Sequence, residues 1–207
     1  MKFDLPGHDK SAQIPVMSDI YIDGHHIGVL FPAEDIAARV MSIAQEIAAR
    51  QPTNLVVVPI LKGSFVFAAD LIRAMHHAGL SPEVDFMILS SYRKSTKSSG
   101  QVTVLRDIET DVRGRDVLLI DDILESGRTL AFAKDLLSAR GARNTLTSVL
   151  LNKPGHLAAN IKADYQGFVC PDKFVVGYGM DMAHQFRELP FVGYVIPEQE
   201  SSPETGS

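Results

Sequence analysis

Two rhythms of apolar and polar residues run along this chain, and the change from one to the other divides it. Between residues 34 and 151, short strand-like runs (Leu55 to Ile60, Val84 to Ser90, Val117 to Ile120, Thr145 to Leu151) alternate with stretches in which apolar residues recur every three or four positions. Runs of the first kind read as strands buried in a parallel sheet, and those of the second as helices with one packed face. A helix opening at Pro32-Ala33-Glu34 puts Ile36, Val40, Ile43 and Ile47 on that face. A second, Gly63 to Ala78, offers Phe67, Leu71, Ile72 and Met75, and a third, Leu130 to Arg140, stops at Gly141, where a left-handed cap suits glycine. Strand and helix in alternation predict an α/β fold built on a parallel twisted sheet.

The ends of the chain behave differently. From Ser18 to Phe31, apolar-alternating pieces flank Asp23-Gly24, which predicts a hairpin. Beyond residue 165 come short strands near Gly167 to Cys170, Phe174 to Gly177 and Phe191 to Ile196, with no long helix. The expectation is one domain over 16–196, with a core over about 34–165 and a small hood from about 16–31 and 166–196. Residues 1–15 and the Glu/Ser/Pro-rich 197–207 are expected to be disordered. His25-His26 and His76-His77 read as solvated residues of a turn and of a helix end, since neither pair has acidic or thiol partners at ligand spacing.

Composition narrows the function classes. With 45% hydrophobic and 22% charged residues among 207, the chain is a soluble globular type, and its net charge of −5 argues against a nucleic-acid surface. The longest apolar run, Leu55 to Leu61, is seven residues and includes Pro59, far below the roughly 20 needed to cross a bilayer. Met1 to Lys10 carries no apolar run of signal-peptide length. Cys170 is the single cysteine, so no intrachain disulfide forms, and a cytoplasmic protein is expected. The dinucleotide GxGxxG, the nucleotide-hydrolase GxxxxGK[ST] and the zinc-protease HExxH patterns are all missing from the sequence.

The stretch Val117 to Leu130 concentrates the chemistry. An apolar strand is followed by Asp121-Asp122, then by the turn Glu125-Ser126-Gly127-Arg128-Thr129, then by a helix. Ligands of open α/β sheets sit at such strand ends. Successive backbone N–H groups, two hydroxyls and a helix N-terminus suit a phosphate, while Gly127 lets the backbone come close. The two aspartates would repel that phosphate, so a ligand using both halves needs hydroxyls or a bound cation beside them. A ribose phosphate with Mg²⁺ has both.

Two acids after an apolar strand, then acid-Ser-Gly-Arg-Thr, resemble the 5-phosphoribosyl-1-pyrophosphate (PRPP) signature of the type I phosphoribosyltransferases. The surrounding residues, over roughly 16 to 196, resemble the hypoxanthine(-guanine) branch. That resemblance implies a purine-salvage transferase that moves the phosphoribosyl group of Mg²⁺-PRPP to a 6-oxopurine. It implies ribose and metal contacts at Asp121 and Asp122, and a base for the purine's imidazole proton at Glu125, where the family usually has Asp. Ser126, Gly127, Arg128 and Thr129 match the 5′-phosphate loop. Lys62 and Gly63 match the pyrophosphate loop, whose peptide between these two is implied to turn cis, and Arg187 matches the pyrophosphate clamp. Lys153 matches the donor to the purine 6-oxygen, Phe174 the stacking ring, Val175 the backbone reader of the base edge, and Asp181 a metal-side acid. Ser91 and Tyr92 match the start of a lid over 91–101, which carries three cations. A homodimer or homotetramer is implied as well. Two alternatives stand beside this reading: a guanine- or xanthine-preferring transferase, and a non-catalytic PRPP- or nucleotide-sensing regulator of the same fold.

Overall fold

The computed structural model describes residues 17–91 and 102–197. Their central sheet has the order β6-β5-β3-β7-β8-β9, with β4 beside β3. Its strands are β3 (Val56–Leu61), β4 (Glu83–Val84), β5 (Met87–Ser91), β6 (Val102–Arg106), β7 (Asp116–Leu124), β8 (Asn144–Asn152) and β9 (Tyr165–Val169). All neighbours pair in parallel except β6, which runs antiparallel to β5. The parallel α/β sheet read from the sequence is the one observed.

Alternation along the strands feeds two apolar layers. Val57, Leu118 and Ile120 face α1 (Ala33–Ala49) and α2 (Phe65–His77). Val56, Val58, Val117 and Leu119 face α3 (Arg128–Ala139). On α1, the buried positions include Ile36, Val40, Ile43 and Ile47, as the periodicity requires. Each such side chain contributes roughly 1.5 to 3 kcal/mol by leaving water, so the sheet is a stiff platform for the loops at its rim.

A second, antiparallel sheet has the order β1-β2-β11-β10, from β1 (Met17–Ile22), β2 (His25–Phe31), β10 (Val175–Val176) and β11 (Val192–Ile196). The hairpin turns on Asp23 and Gly24, both at positive φ (48° and 80°), the backbone that two-residue hairpin turns demand. Phe31 at the end of β2 stacks on Phe168 of β9 at 4.4 Å, joining the two sheets.

The structure differs from the sequence reading in four places. Residues 166–169, assigned to the hood, continue from Tyr165 in a strand that pairs with β8 in the central sheet, because Asn152 and Leu151 extend the ladder that they join. The strand over 84–90 breaks at Asp85, whose carboxylate accepts hydrogen bonds from the backbone N–H groups of Phe86, Glu109 and Thr110. His25 and His26 belong to β2 and are half-buried, His25 lying edge-on to Phe186 at 5.5 Å. The strand carrying the acids is also longer than its apolar run, continuing through Asp121 and Asp122 to Leu124. Residues 1–15, the tail from 198, and Tyr92 with the rest of the lid to 101 lie outside the described residues, whereas Ser91 ends β5.

Candidate active site

From β3 the chain crosses by α2 toward β4 and β5 on one side, while from β7 it crosses by α3 to β8 on the other. Connections that diverge from adjacent parallel strands leave a crevice at the strand ends, which is where ligands bind in such sheets. The crevice between β3 and β7 encloses about 240 Å³. Leu61, Lys62 and Gly63 line one wall, and Asp121 through Gly127 with Thr129 line the other.

Asp121 and Asp122 sit half-buried in this crevice. Burial, together with the neighbouring charge of Asp122, holds the Asp121 carboxyl well above the usual carboxylate range; burial also raises Asp122. Arg187 offsets this only in part at Asp122, and two adjacent buried acids form a donor set that suits a hard cation or sugar hydroxyls. Mg²⁺ is commonly held by one or two carboxylates plus substrate phosphates, and the pair fits that mode. The third expected metal-side acid, Asp181, does not join them. Its oxygens engage Arg187 Nη2 at 2.6 Å and the His184 backbone N–H at 2.9 Å, and among the described residues no three His, Cys, Asp or Glu side chains form a ligand set.

The turn after β7 is built around Gly127, at φ 73°, which caps α3. A Cβ there would lie 2.6 Å from Ile161 Cγ2, so space as well as backbone angle calls for glycine. Ser126 is therefore not the helix cap; its Oγ lies 3.5 Å from the Arg128 N–H. From the outside, the backbone N–H groups of Ala158 and Ala159 donate to the Ser126 carbonyl at 2.9 and 3.2 Å, bracing the turn. Thr129 faces the crevice, and Arg128 is exposed.

Opposite, the cis peptide is Leu61–Lys62, one bond before the expected Lys62–Gly63. Gly63 lies so close to Asp122 that a Cβ would fall 1.7 Å from Oδ2. Gly179 in turn packs on the Gly63 carbonyl, 2.3 Å from where its own Cβ would be. Arg187 donates to the Gly179 carbonyl at 2.6 Å, so its guanidinium ties Asp181 and the 179 turn to this wall. Lys62 is exposed.

At the far end of the turn, Lys153 is nearly buried, with its Nζ 3.1 Å from Glu125 Oε1 and 2.9 Å from Asp172 Oδ1. Its ammonium is held above the usual lysine range by these two carboxylates, against the opposing effect of burial. His156 Nε2 lies 3.0 Å from the other oxygen of Asp172. Neither Asp172 nor His156 is a candidate from the sequence; Asp172 meets Lys153 and His156 only through the fold, and no spacing signals that. Phe174, which the family resemblance makes a base contact, is 60% exposed and so is not core, and Val175 opens β10 opposite Tyr194. Burial pushes the neighbouring Cys170 thiol up to about 11, which removes thiolate chemistry from this site.

Comparison with known proteins identifies the family to which this fold belongs. The phosphoribosyl transferase domain model matches residues 27–183. The hypoxanthine phosphoribosyltransferase of Escherichia coli K12 is 39% identical over 175 residues, 83% of this chain and 97% of that one. The hypoxanthine-guanine phosphoribosyltransferase of Bacillus subtilis is 43% identical over 170 residues, 82% of this chain and 93% of that one. A crystal structure of a hypoxanthine phosphoribosyltransferase from Staphylococcus aureus superposes with a TM-score of 0.77 at 38% identity, covering 84% of this chain and 94% of its own. With a family model over most of its length and relatives at this identity and coverage, the chain belongs to the phosphoribosyltransferase family, in its hypoxanthine(-guanine) branch.

Proposed function

We propose that this chain is a purine-salvage enzyme that transfers the 5-phosphoribosyl group of PRPP to hypoxanthine, with guanine as a further acceptor, giving the nucleoside 5′-monophosphate and pyrophosphate. The observation that carries the reading is the crevice whose one wall carries in sequence an acid pair, Glu125 with its lysine partner Lys153 behind it, and a glycine turn at a helix N-terminus.

In the reaction, the bond from the sugar carbon to pyrophosphate breaks, positive charge builds on the sugar, and the purine nitrogen bonds to that carbon. Asp121 and Asp122 would face the ribose hydroxyls and stabilise the developing charge, as carboxylates do in glycoside chemistry. Glu125 would accept the proton that leaves the imidazole ring. Backbone N–H groups of 126–129 with the hydroxyls of Ser126 and Thr129 would hold the 5′-phosphate, and Lys62, Gly63 and Arg187 the pyrophosphate. Mg²⁺ would be held at Asp121 and Asp122, and when bound it would supply charge neutralisation to the leaving group.

On the base side, the Lys153 ammonium would donate to the 6-oxygen, Phe174 would stack on the ring and the Val175 backbone would read its edge. Adenine brings an amino group to a position where a donor already stands, which leaves two donors opposed. Ser91, at the end of β5, and Tyr92 would open a lid that excludes water from the reacting centre. The working particle on this reading is a cytoplasmic dimer or tetramer, which sedimentation of the purified chain checks. Among the described residues no helix is long and apolar enough to cross a membrane.

PRPP-dependent pyrophosphate release, measured with hypoxanthine, guanine, xanthine, adenine and uracil, tests the function. Turnover with hypoxanthine and rejection of adenine is the expected result. No turnover with any base would make the chain a nucleotide sensor instead.

A further inference from the structure

Lys153 is anchored along its backbone before its side chain meets any partner. Its N–H donates to the Leu124 carbonyl at 2.9 Å, which fixes it beside the end of β7 and hence beside Glu125. The Cys170 N–H donates to the Asn152 carbonyl at 2.8 Å, and this carries the segment after β9 alongside the same point, with Asp172 two residues on. His156 follows Lys153 by three residues on the loop leaving β8. Three different segments therefore deliver Glu125, Asp172 and His156 to one ammonium and its counter-ion.

An ammonium has three N–H donors. Two can be met by Glu125 and Asp172, whose oxygens lie 3.1 and 2.9 Å away. The two carboxylates differ in setting: Glu125 is one-third exposed and belongs to the crevice, whereas Asp172 is two-thirds exposed and outside it. When Glu125 takes up the purine's proton it becomes neutral, and a nearly buried ammonium relying on it alone would lose its counter-ion at that moment. A buried charge stripped of its partner is strongly destabilised. Asp172, 2.9 Å away, leaves Lys153 a second carboxylate through that step. His156 Nε2, 3.0 Å from the second oxygen of Asp172, anchors the carboxylate whose other oxygen meets Lys153.

We propose that Asp172, steadied by His156, is a positioning residue that fixes the Lys153 ammonium so that its third N–H addresses the 6-oxygen of the incoming base. The inference rests on the assignment of Lys153 to the base and deepens it: specificity for a 6-oxo group depends on a carboxylate that touches neither substrate nor metal.

The test is steady-state kinetics on Asp172→Ala, Asp172→Asn, His156→Ala and the double variant Asp172→Ala/His156→Ala, each with hypoxanthine and PRPP varied in turn. Asp172→Ala should raise KM for hypoxanthine about 10-fold, corresponding to the ~1.4 kcal/mol of one weakened charged hydrogen bond. KM for PRPP should stay within about twofold, and the preference for hypoxanthine over adenine should narrow by about the same 10-fold. Asp172→Asn keeps an acceptor without the charge and should fall between. His156→Ala should shift the same constant by a smaller factor and add nothing to Asp172→Ala, the non-additivity expected of residues acting through one another. Because Asp172 is largely exposed, melting temperatures should match the wild type, which keeps the kinetic result interpretable. An active wild type with an unshifted Asp172→Ala, or with both KM values rising together, overturns the positioning role alone. A wild type without hypoxanthine turnover overturns the base assignment and this inference with it.

Discussion

Replacing Gly63 by alanine probes the crevice at its narrowest point. The added Cβ would stand 1.7 Å from Asp122 Oδ2 and 2.6 Å from its Cγ. Non-bonded carbon contacts settle at about 3.5 to 4.0 Å, so the loop and the carboxylate must separate by on the order of 1.5 Å. Neither side yields easily: Asp122 lies within β7 and its Oδ1 accepts from the Ile123 N–H at 2.9 Å, while the Gly63 carbonyl is covered by Gly179. Overpacking of this kind costs roughly 1 to 3 kcal/mol, which in a domain of this size lowers Tm by roughly 3 to 10 °C. The catalytic effect should be larger. A misplacement of about 1 Å costs on the order of 100-fold, or about 2.7 kcal/mol in the barrier, and here it acts on both walls of the crevice, Asp122 and the loop at Gly63, together. Pyrophosphate release with PRPP as the varied substrate should show kcat/KM reduced at least about 100-fold. Gly79→Ala is the control: φ is +85° and its Cβ meets nothing within 4 Å, so stability should fall with turnover unchanged. Gly63→Ala turnover within about threefold of wild type would refute the claim that this contact sets the site's geometry.

Three further perturbations address other parts of the account. Glu125→Gln preserves shape but cannot accept a proton, so kcat should fall by about 10² to 10⁴ while PRPP binding, followed by its protection against thermal unfolding, persists; unchanged kcat removes Glu125 as the base. Phe174→Ala should raise KM for hypoxanthine about 10-fold or more, since stacking on one aromatic ring contributes roughly 1 to 3 kcal/mol per base, and Tm should hold because the ring is exposed. Asp116, away from the crevice, is lowered from 3.8 to about 2 by the guanidinium of Arg143, with help from the Thr53 N–H and Asn144. A depressed folded-state value contributes stability above the unfolded pKa and loses it as pH falls through the folded one. The urea stability difference between wild type and Asp116→Asn should thus be about 1 to 2 kcal/mol at neutral pH and shrink between about pH 4 and pH 2. A difference independent of pH would show that the pairing does not contribute as described.

The parts of the molecule legible from sequence are those that local physics decides. The spacing of Ile36, Val40, Ile43 and Ile47 admits only one buried helix face, and Asp23-Gly24 between alternating runs admits little but a hairpin. The phosphate turn was readable because a helix N-terminus, a positive-φ glycine and hydroxyls lie within five residues. What depends on distant partners was not. Nothing in Val117 to Ile120 announces that pairing with β8 carries the strand on to Leu124, nor does the rhythm after residue 165 reveal that β9 finds β8. Asp172 reaches Lys153 and His156 from a different segment, the one after β9, so its approach has no sequence period to betray it. Asp181 read as a metal-side acid from its motif, yet its carboxylate is engaged by Arg187, which only the folded 179 turn brings near.

The central claim is that a sugar phosphate lodges between β3 and β7. A crystal of the chain grown with Mg²⁺ and PRPP measures that directly. The account predicts the 5′-phosphate against the backbone N–H groups of 126–129, the ribose hydroxyls at Asp121 and Asp122, and the pyrophosphate between Gly63 and Arg187. A ligand bound elsewhere, with the crevice filled by the chain's own side chains, would contradict it.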